Sequence, residues 1–250
     1  MNVKKISAQD NMLVLLVSGT HPQFMNSIRR IVMKSVPTLA VENVSIYKND
    51  SVLFDEFLAS RLGSIPLKIK APMKKGEKAK LVLQAKGPKM VYAGDIDTKD
   101  DDIEVMNKDT PLVKLKEGQE IKMEMEAIMD SGREHIKWQP AIIYYKELPD
   151  INNKAAKIKN AQDIVDKCPK KVLEVRAGKI VLKNPYECTL CGYCEDISEE
   201  QIELETSQNS FVLTIETFGQ RDSRQLLEEA AEILKEKTES LSEEANKKIK

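Results

Sequence analysis

The chain has 250 residues, with 39 lysines and arginines against 40 aspartates and glutamates, so its formal net charge at pH 7 is −1. A protein that holds the phosphate backbone mainly by charge carries a strong basic excess, so this balance argues against general nucleic-acid binding and leaves only indirect contact with DNA. Hydrophobic residues make up 41%, charged residues 32% and aromatic residues 5% of the chain. This composition is typical of a globular protein with a sizeable core and much solvated surface.

The longest apolar run, from Met12 to Val17, is far shorter than the roughly 20 residues that span a bilayer. The amino terminus also lacks the pattern of a secretory signal peptide. We therefore expect a cytoplasmic protein that makes no contact with a membrane. In a reducing compartment, four cysteines clustered in one short segment indicate metal ligands rather than disulfides.

Hydrophobic periodicity predicts a strand, a helix and a strand at the amino-terminal end. The strand is expected over residues 12–17. The helix is expected to begin with a capping box at Thr20 and Gln23 and to stop before Pro37, and the next strand is expected over residues 38–47.

A short helix is predicted next, capped by Asp50 and Ser51 and stopped by Gly63. Its apolar face is expected to comprise Phe54, Phe57, Leu58 and Leu62. Residues 68–147 then favour strands, and strict alternation over residues 121–127 predicts one buried and one solvated face.

The carboxy-terminal part is predicted to contain a linker, a hairpin, a strand and a helix. The linker is expected over residues 152–159, and the hairpin over residues 173–182 with its turn at Ala177 and Gly178. The strand is expected over residues 211–217. Asp222 is then expected to open a long amphipathic helix.

The cysteine spacing can be compared with that of bacterial ferredoxins. Those proteins carry the run C-x2-C-x2-C-x3-C-P twice, and the fourth cysteine of each run ligates the cluster of the other. Cys168 with its following proline matches the end of a first run, whose other ligand positions hold Ile158, Ala161 and Ile164. The first three positions of a second run are matched by Cys188, Cys191 and Cys194, and its fourth position holds Ser198.

Crossed ligation means that one cluster site has lost all four ligands and the other has kept all four. The spacing therefore predicts one 4Fe-4S cluster, bound by Cys168, Cys188, Cys191 and Cys194. Zinc is the main alternative, although structural zinc sites usually use two separated C-x2-C pairs. A 3Fe-4S cluster is expected instead if one cysteine does not ligate.

No catalytic constellation is found in the sequence. The two histidines, His21 and His135, fall in no metal-binding or nucleophile-base pattern, and the chain has no phosphate-binding loop, dinucleotide-binding fingerprint or nucleophile elbow. We expect no catalytic residues. The two amphipathic helices near the ends of the chain suit either packing within the subunit or association with a partner.

Three stretches of the sequence carry a family resemblance. FMNSIRRIVMKSVPTLAVE at residues 24–42, NDSVLFDEFLASRLGSIPL at residues 49–67 and HIKWQP at residues 135–140 resemble the alpha-like subunits of DNA-directed RNA polymerase. The match is close to the archaeal D type, the counterpart of bacterial alpha and of the third-largest subunit of eukaryotic polymerase II. The likeness extends over nearly the whole chain.

The resemblance implies an α+β fold with three domains. A split dimerisation domain would comprise residues 1–46 and 211–250, and a mainly β domain inserted in it would comprise residues 47–153. A small ferredoxin-like insertion would comprise residues 154–210. Because D-type subunits vary in their number of cysteines, the cluster prediction rests on the spacing and not on the family.

The resemblance also implies a function and partners. Members of the family are non-catalytic assembly subunits of a nucleotidyltransferase complex, and the D type pairs with subunit L before docking the second-largest subunit and the small subunits N and P. The pairing surface would be the apolar side chains of the two terminal helices. These are Phe24, Ile28, Ile31, Val32, Leu226, Leu227, Ala230 and Leu234.

Two questions stay open at the level of sequence. A ferredoxin-like electron-transfer protein with an appended scaffold is the alternative function. A cluster in the polymerase subunit would serve either as a structural crosslink or as a redox or oxygen sensor. The crosslink is favoured because it needs no reversible chemistry.

Overall fold

The computed structural model describes residues 1–248 and divides the chain into two compact units. The first comprises Met1–Ala8, Leu13–Met25 and Tyr144–Thr214, and the second comprises Gln9–Met12, Asn26–Ile143 and Ile215–Lys250. Each unit combines strands and helices, so the predicted α+β class is confirmed. The three-domain division stays a prediction.

A four-stranded sheet lies largely in the first unit. Its order is β1-β2-β14-β11, with β1 over Asn2–Gln9, β2 over Met12–Ser18, β14 over Ile202–Thr217 and β11 over Ala141–Asn153. The strands predicted from residues 12 and 211 are present, and β14 begins nine positions before the predicted start at Phe211. Strand β1 was not predicted, because its residues are mostly exposed and show no alternation.

The cysteine region has a small core of its own within the first unit. Its elements are α3 over Ala161–Asp166, β12 over Leu173–Arg176, β13 over Lys179–Leu182 and α4 over Tyr193–Asp196. Its buried residues are Ile158, Ile164, Val172, Leu173, Ile180, Cys188 and Ile202.

The predicted hairpin is confirmed, and its turn explains how β12 and β13 are paired. Ala177 has φ 50° and Gly178 has φ 76°. Two consecutive left-handed residues make the kind of two-residue turn whose twist matches the flanking strands. The prediction of a linker from residue 152 was wrong at its start, because β11 continues to Asn153.

A second four-stranded sheet dominates the second unit. Its order is β3-β10-β5-β7, with β3 over Pro37–Asn49, β10 over Glu120–Ser131, β5 over Lys78–Lys86 and β7 over Ile96–Asp97. Two smaller antiparallel pairs accompany it. They are β4 over Leu67–Ile69 with β8 over Ile103–Val105, and β6 over Lys89–Tyr92 with β9 over Pro111–Leu115.

The central strand β10 has the alternation that the sequence predicts. Ile121, Met123 and Met125 are buried, whereas Lys122 and Glu124 between them are exposed. Because successive side chains of a strand point to opposite faces, one face of this sheet contributes to the core and the other is solvated.

Three longer helices complete the fold: α1 over Pro22–Lys34, α2 over Asp55–Gly63 and α5 over Ser223–Lys248. Asp222 opens α5 as predicted, because its carboxylate accepts a hydrogen bond from the backbone N–H of Arg224 at 3.2 Å. No helix within residues 1–248 has both the length and the apolar character needed to cross a membrane.

Helix α2 differs from its prediction in two respects. Its N-cap is Phe54, which makes no capping hydrogen bond. The hydroxyl of Ser51 instead donates to Asn49 at 2.6 Å within the preceding turn, so the expected cap at Asp50 and Ser51 was wrong. The predicted apolar face was also wrong in part, since Phe54 is 72% and Phe57 is 62% exposed.

Candidate functional site

The four cysteines line one small cavity in the first unit, with a volume of about 20 Å³. Cys168 lies on one side of the hairpin in sequence, and the other three follow the hairpin. The remaining wall is largely apolar and includes Ile151, Val172, Leu173, Leu182 and Leu204. The structure thus brings together all four residues that the spacing selects, while metal binding by them stays a prediction.

Tight turns place the cysteines along the chain. The backbone N–H of Cys168 donates to the carbonyl of Val165 at 3.2 Å at the end of α3, and the carbonyl of Cys168 accepts from Lys171 at 3.0 Å. In the second segment, Leu190 and Gly192 adopt positive φ values of 55° and 76°. These two left-handed residues turn the chain around Cys191.

The cysteines differ in their exposure. Cys188 is buried, Cys168 and Cys194 are half-buried, and Cys191 is exposed. Burial raises the pKa of the Cys194 thiol, and the neighbouring Cys188 and Cys191 add to this effect. Because thiolates are the metal-binding form, loading the site must release protons.

A cation that the sequence analysis missed adjoins the site. Lys146 on β11 is half-buried, and its ammonium donates to the backbone carbonyl of Cys188. Burial lowers the pKa of Lys146, although Cys188 and Glu187 act in the opposite direction. Lys170 also lines the cavity. No local pattern identifies Lys146, because it lies 42 positions from Cys188 in the chain.

The donor set can be tested against the predicted cluster. Within residues 1–248, no three histidine, cysteine, aspartate or glutamate side chains converge on a point where a single metal ion could bind. A 4Fe-4S cluster attaches each thiolate to a different iron, so it needs four sulfurs arranged around a cavity rather than around one point. All four thiols line one cavity here, and cluster binding by them stays a prediction.

The predicted pairing residues fall into two groups by exposure. Ile28, Ile31 and Val32 on α1 are at most 7% exposed. Leu226 and Ala230 on α5 are fully buried. The chain therefore already covers five of the eight side chains by itself. Phe24, Leu227 and Leu234 are only partly buried, and they are the members of the set that a partner could contact.

Helix α5 carries a stripe of leucines that are not fully buried. Leu227, Leu234 and Leu241 recur at seven-residue spacing, and Leu241 is 69% exposed. Positions seven apart lie on the same side of an α-helix, as in a helix pair. Leu241 was among the apolar positions of the predicted helix but was not assigned to the interface.

The histidine of the third family motif has a structural role. Nδ1 of His135 accepts a hydrogen bond from the backbone N–H of Lys137 at 3.1 Å, which caps a short 3-10 helix over Ile136–Trp138. The indole N–H of Trp138 donates to the carbonyl of Ile128 at 2.8 Å. The motif therefore fixes this turn against β10.

Known proteins resemble this chain over nearly its full length. A family model described as the RNA polymerase Rpb3/RpoA insert domain matches residues 44–147. DNA-directed RNA polymerase subunit Rpo3 of Methanosphaera stadtmanae is 32% identical, with 96% of this chain and 97% of the relative covered. The Rpo3 subunits of Methanosarcina acetivorans and Thermococcus kodakarensis are 33% and 34% identical, with 96% and 98% of this chain and 97% of each relative covered.

The resemblance carried by the three sequence motifs is therefore confirmed, and the chain belongs to the Rpo3 family, the alpha-like subunits of DNA-directed RNA polymerase that have no catalytic role of their own.

Proposed function

We propose that this chain is a cytoplasmic assembly subunit for DNA-dependent transcription, which pairs with subunit L and provides a platform for the large polymerase subunits. The observation that carries the proposal is membership of the Rpo3 family along essentially the whole chain. The second-largest subunit and the small subunits N and P are the further partners. Contact with DNA is indirect, in keeping with the net charge of −1.

Pairing with L uses those apolar side chains of the terminal helices that the chain itself does not bury completely. Leu227, Leu234 and Leu241 supply a stripe along α5, and Phe24 lies near the start of α1. Their burial against a partner helix removes apolar surface from water, which is the main favourable contribution to such association. Ile28 and Leu226 are buried within the chain itself. They therefore hold these helices on the subunit's own core rather than contact the partner.

We also propose that Cys168, Cys188, Cys191 and Cys194 hold one 4Fe-4S cluster with a structural role. The cluster would supply four covalent attachments between the end of α3 and the segment after the hairpin. Ligation at two separated segments restrains the small core of Ile164, Val172 and Ile180 between them. Metal binding of this kind adds directly to the free energy of folding in small domains.

Affinity purification of the tagged full-length chain under anaerobic conditions tests both proposals. Polymerase subunits, including L, should co-purify with the tagged chain in a fixed stoichiometry. A redox enzyme in their place would support the electron-carrier alternative and would overturn the assembly role.

Elemental analysis of the same preparation tests the cluster. About four irons and four sulfides per chain are expected. About one zinc per chain without sulfide would show that the cysteines bind structural zinc instead of a cluster. About three irons per chain would indicate a 3Fe-4S cluster. Neither result would affect the assembly role.

A further inference from the structure

The four cysteines differ in how they pack within the first unit. Cys188 belongs to the small core of the cysteine region and is 8% exposed, and Cys168 and Cys194 pack against that core. Cys191 is exposed and, among the residues that the structure describes, lies outside this core. Because each thiolate of a 4Fe-4S cluster binds a different iron, the irons of the proposed cluster would differ in their access to water.

The loop around Cys191 borders open space. Leu190 and Gly192 on either side of it have φ values of 55° and 76°, which turn the chain at Cys191. Apart from its chain neighbours, no heavy atom within residues 1–248 lies within 4 Å of the position that a Cβ of Gly192 would take. Water and small solutes can therefore reach Cys191 from this side.

Hydrogen bonds hold the other three cysteines in place. Cys168 is fixed by the hydrogen-bonded turn at the end of α3. The ammonium of Lys146 donates to the backbone carbonyl of Cys188. The sulfur of Cys194 accepts a hydrogen bond from the backbone N–H of the next residue. These three cysteines are therefore anchored to the fold, whereas Cys191 lies on the exposed loop.

Oxidation makes this difference in access chemically important. A one-electron oxidant such as ferricyanide takes one electron from a 4Fe-4S cluster of charge 2+, and the 3+ product releases one Fe²⁺ to leave a 3Fe-4S cluster of charge 1+. The thiolate that bound the departing iron becomes free. Because water must reach the iron to hydrate the leaving Fe²⁺, the most exposed iron leaves first.

We propose that Cys191 holds the one exchangeable iron of the cluster, while Cys168, Cys188 and Cys194 keep a 3Fe-4S cluster when that iron leaves. The Cys191 position is then a binding site for a single Fe²⁺. An oxidant empties it, and one electron from a reductant together with Fe²⁺ refills it. The inference rests on the proposed 4Fe-4S cluster and adds how that cluster responds to oxidant and to the supply of iron.

Thiol labelling of the anaerobically purified polymerase complex tests the proposal without any substitution. The complex receives an equimolar amount of ferricyanide and then iodoacetamide, and mass spectrometry maps the alkylated cysteines. About one Fe²⁺ per chain should be released, and Cys191 should be alkylated at least about tenfold more than each of the other three. Untreated complex is the control, in which all four should be protected. Preferential alkylation of another cysteine, or equal alkylation of all four, overturns the proposal.

Refilling the site tests its reversibility. Isotopically labelled Fe²⁺ and dithionite, added to the oxidised complex, should restore both the iron content and the protection of Cys191 from iodoacetamide. Mössbauer spectroscopy should then place the label in a single iron site of the cluster. Label distributed over all the irons, or protection that does not return, overturns the proposal.

Two matched variants separate the cysteines. Cys191→Ala should retain about three irons per chain and show the electron paramagnetic resonance signal of a 3Fe-4S cluster, whereas Cys188→Ala should retain less than about one iron. Circular dichroism checks that both are folded. Equal iron content in the two folded variants overturns the proposal, and the labelling of the wild-type complex decides the question if either variant does not fold.

Two kinds of failure are distinguishable. If the purified wild-type chain contains zinc or no metal, the cluster proposal fails, and the exchangeable iron fails with it. If the chain contains about four irons and four sulfides but ferricyanide does not expose Cys191 selectively, the exchangeable iron alone fails.

Discussion

The ammonium of Lys137 forms an ion pair with the carboxylate of Glu42, and Nζ of Lys137 lies 4.5 Å from the ring centroid of Trp138. The pair joins residues 95 positions apart. Glu42 ends the first family motif and Lys137 belongs to the third. The side chain of Lys137 is only 16% exposed, so these two contacts take the place of much of the water around its ammonium.

Lys137→Met is expected to lower the free energy of unfolding by about 1 kcal/mol, since it leaves Glu42 unpaired and removes the cation from the Trp138 ring. Denaturant unfolding measures the change. Lys122→Met is the control, because that exposed lysine lies 5.9 Å from the ring centroid of Tyr47 and should contribute less than about 0.5 kcal/mol. Equal effects of the two substitutions would contradict a structural role for the pair.

Leu227→Asp should abolish pairing with subunit L while the chain stays folded. Leu227 is only partly buried in the chain, so the carboxylate remains hydrated in the monomer but would be buried without a partner in the complex. Binding at least about 100-fold weaker is expected, on the order of 3 kcal/mol. Co-purification of the two subunits measures the effect.

Ser240→Asp is the matched control for this interface. It adds the same carboxylate to an exposed position about 120° around α5 from the leucine stripe. This variant should still bind L. Retention of L by Leu227→Asp, or its loss from Ser240→Asp, would contradict the leucine-stripe interface.

Cys191→Ser should remove the 4Fe-4S cluster or convert it to a 3Fe-4S form, since one of four ligands is lost. Amide hydrogen exchange should become at least tenfold faster within residues 155–210, whereas L binding through α5 should be unchanged. Thr189→Ala, in the same segment, keeps all four thiols and is the control. Loss of L binding in Cys191→Ser would indicate long-range coupling and favour a sensor over a structural crosslink.

The cysteine cavity shows what the sequence could predict. The ferredoxin spacing selects four residues from two separate segments, and the structure places all four around one cavity. Spacing could select these four cysteines because it reflects a local turn geometry, and ligation by them stays a prediction. It could not identify Lys146, whose contact with Cys188 depends on how β11 lies relative to that segment.

The fold shows the same division between local pattern and tertiary context. Alternation correctly predicted β10, where one face is buried. For α2, however, apolar side chains at helical spacing did not all face the core, and Phe54 and Phe57 are exposed. Hydrophobicity alone does not separate a core position from an exposed apolar surface position.

Asp95 provides a pH-dependent contribution to stability. Partial burial raises the pKa of its carboxyl, but hydrogen bonds from the backbone N–H of Tyr92 and from Lys89, both at 2.9 Å, outweigh this and leave the pKa below the usual aspartate value. A lowered folded-state pKa stabilises the fold above the unfolded-state pKa, near 3.9, and this stabilisation is lost as the pH falls through the folded-state pKa.

Asp95→Asn should therefore be less stable than the wild type at pH 7 by about 0.5 kcal/mol, a small value because the side chain is 30% exposed. The difference should vanish below about pH 3. Thermal unfolding across this pH range measures it. Asp101→Asn, in the exposed loop that follows, should not change the stability at pH 7, and a constant difference for Asp95→Asn at all pH values would contradict the assignment.

Lys146→Met tests whether this lysine tunes the cluster electrostatically. Methionine keeps most of the apolar stem but removes the hydrogen bond to the carbonyl of Cys188 and the positive charge beside the thiolates. A nearby cation stabilises the reduced, more negative form of a cluster, so its loss should make the reduction potential more negative. Anaerobic redox titration followed by absorbance measures the potential.

Lys154→Met is the control for this effect, because Lys154 is exposed and pairs with Glu203 at 3.1 Å rather than with the cysteine segment. This variant should keep the wild-type potential and iron content. If Lys146→Met also kept the wild-type potential while losing iron faster to a chelator, the lysine would act by holding the Cys188 segment in place and not through its charge.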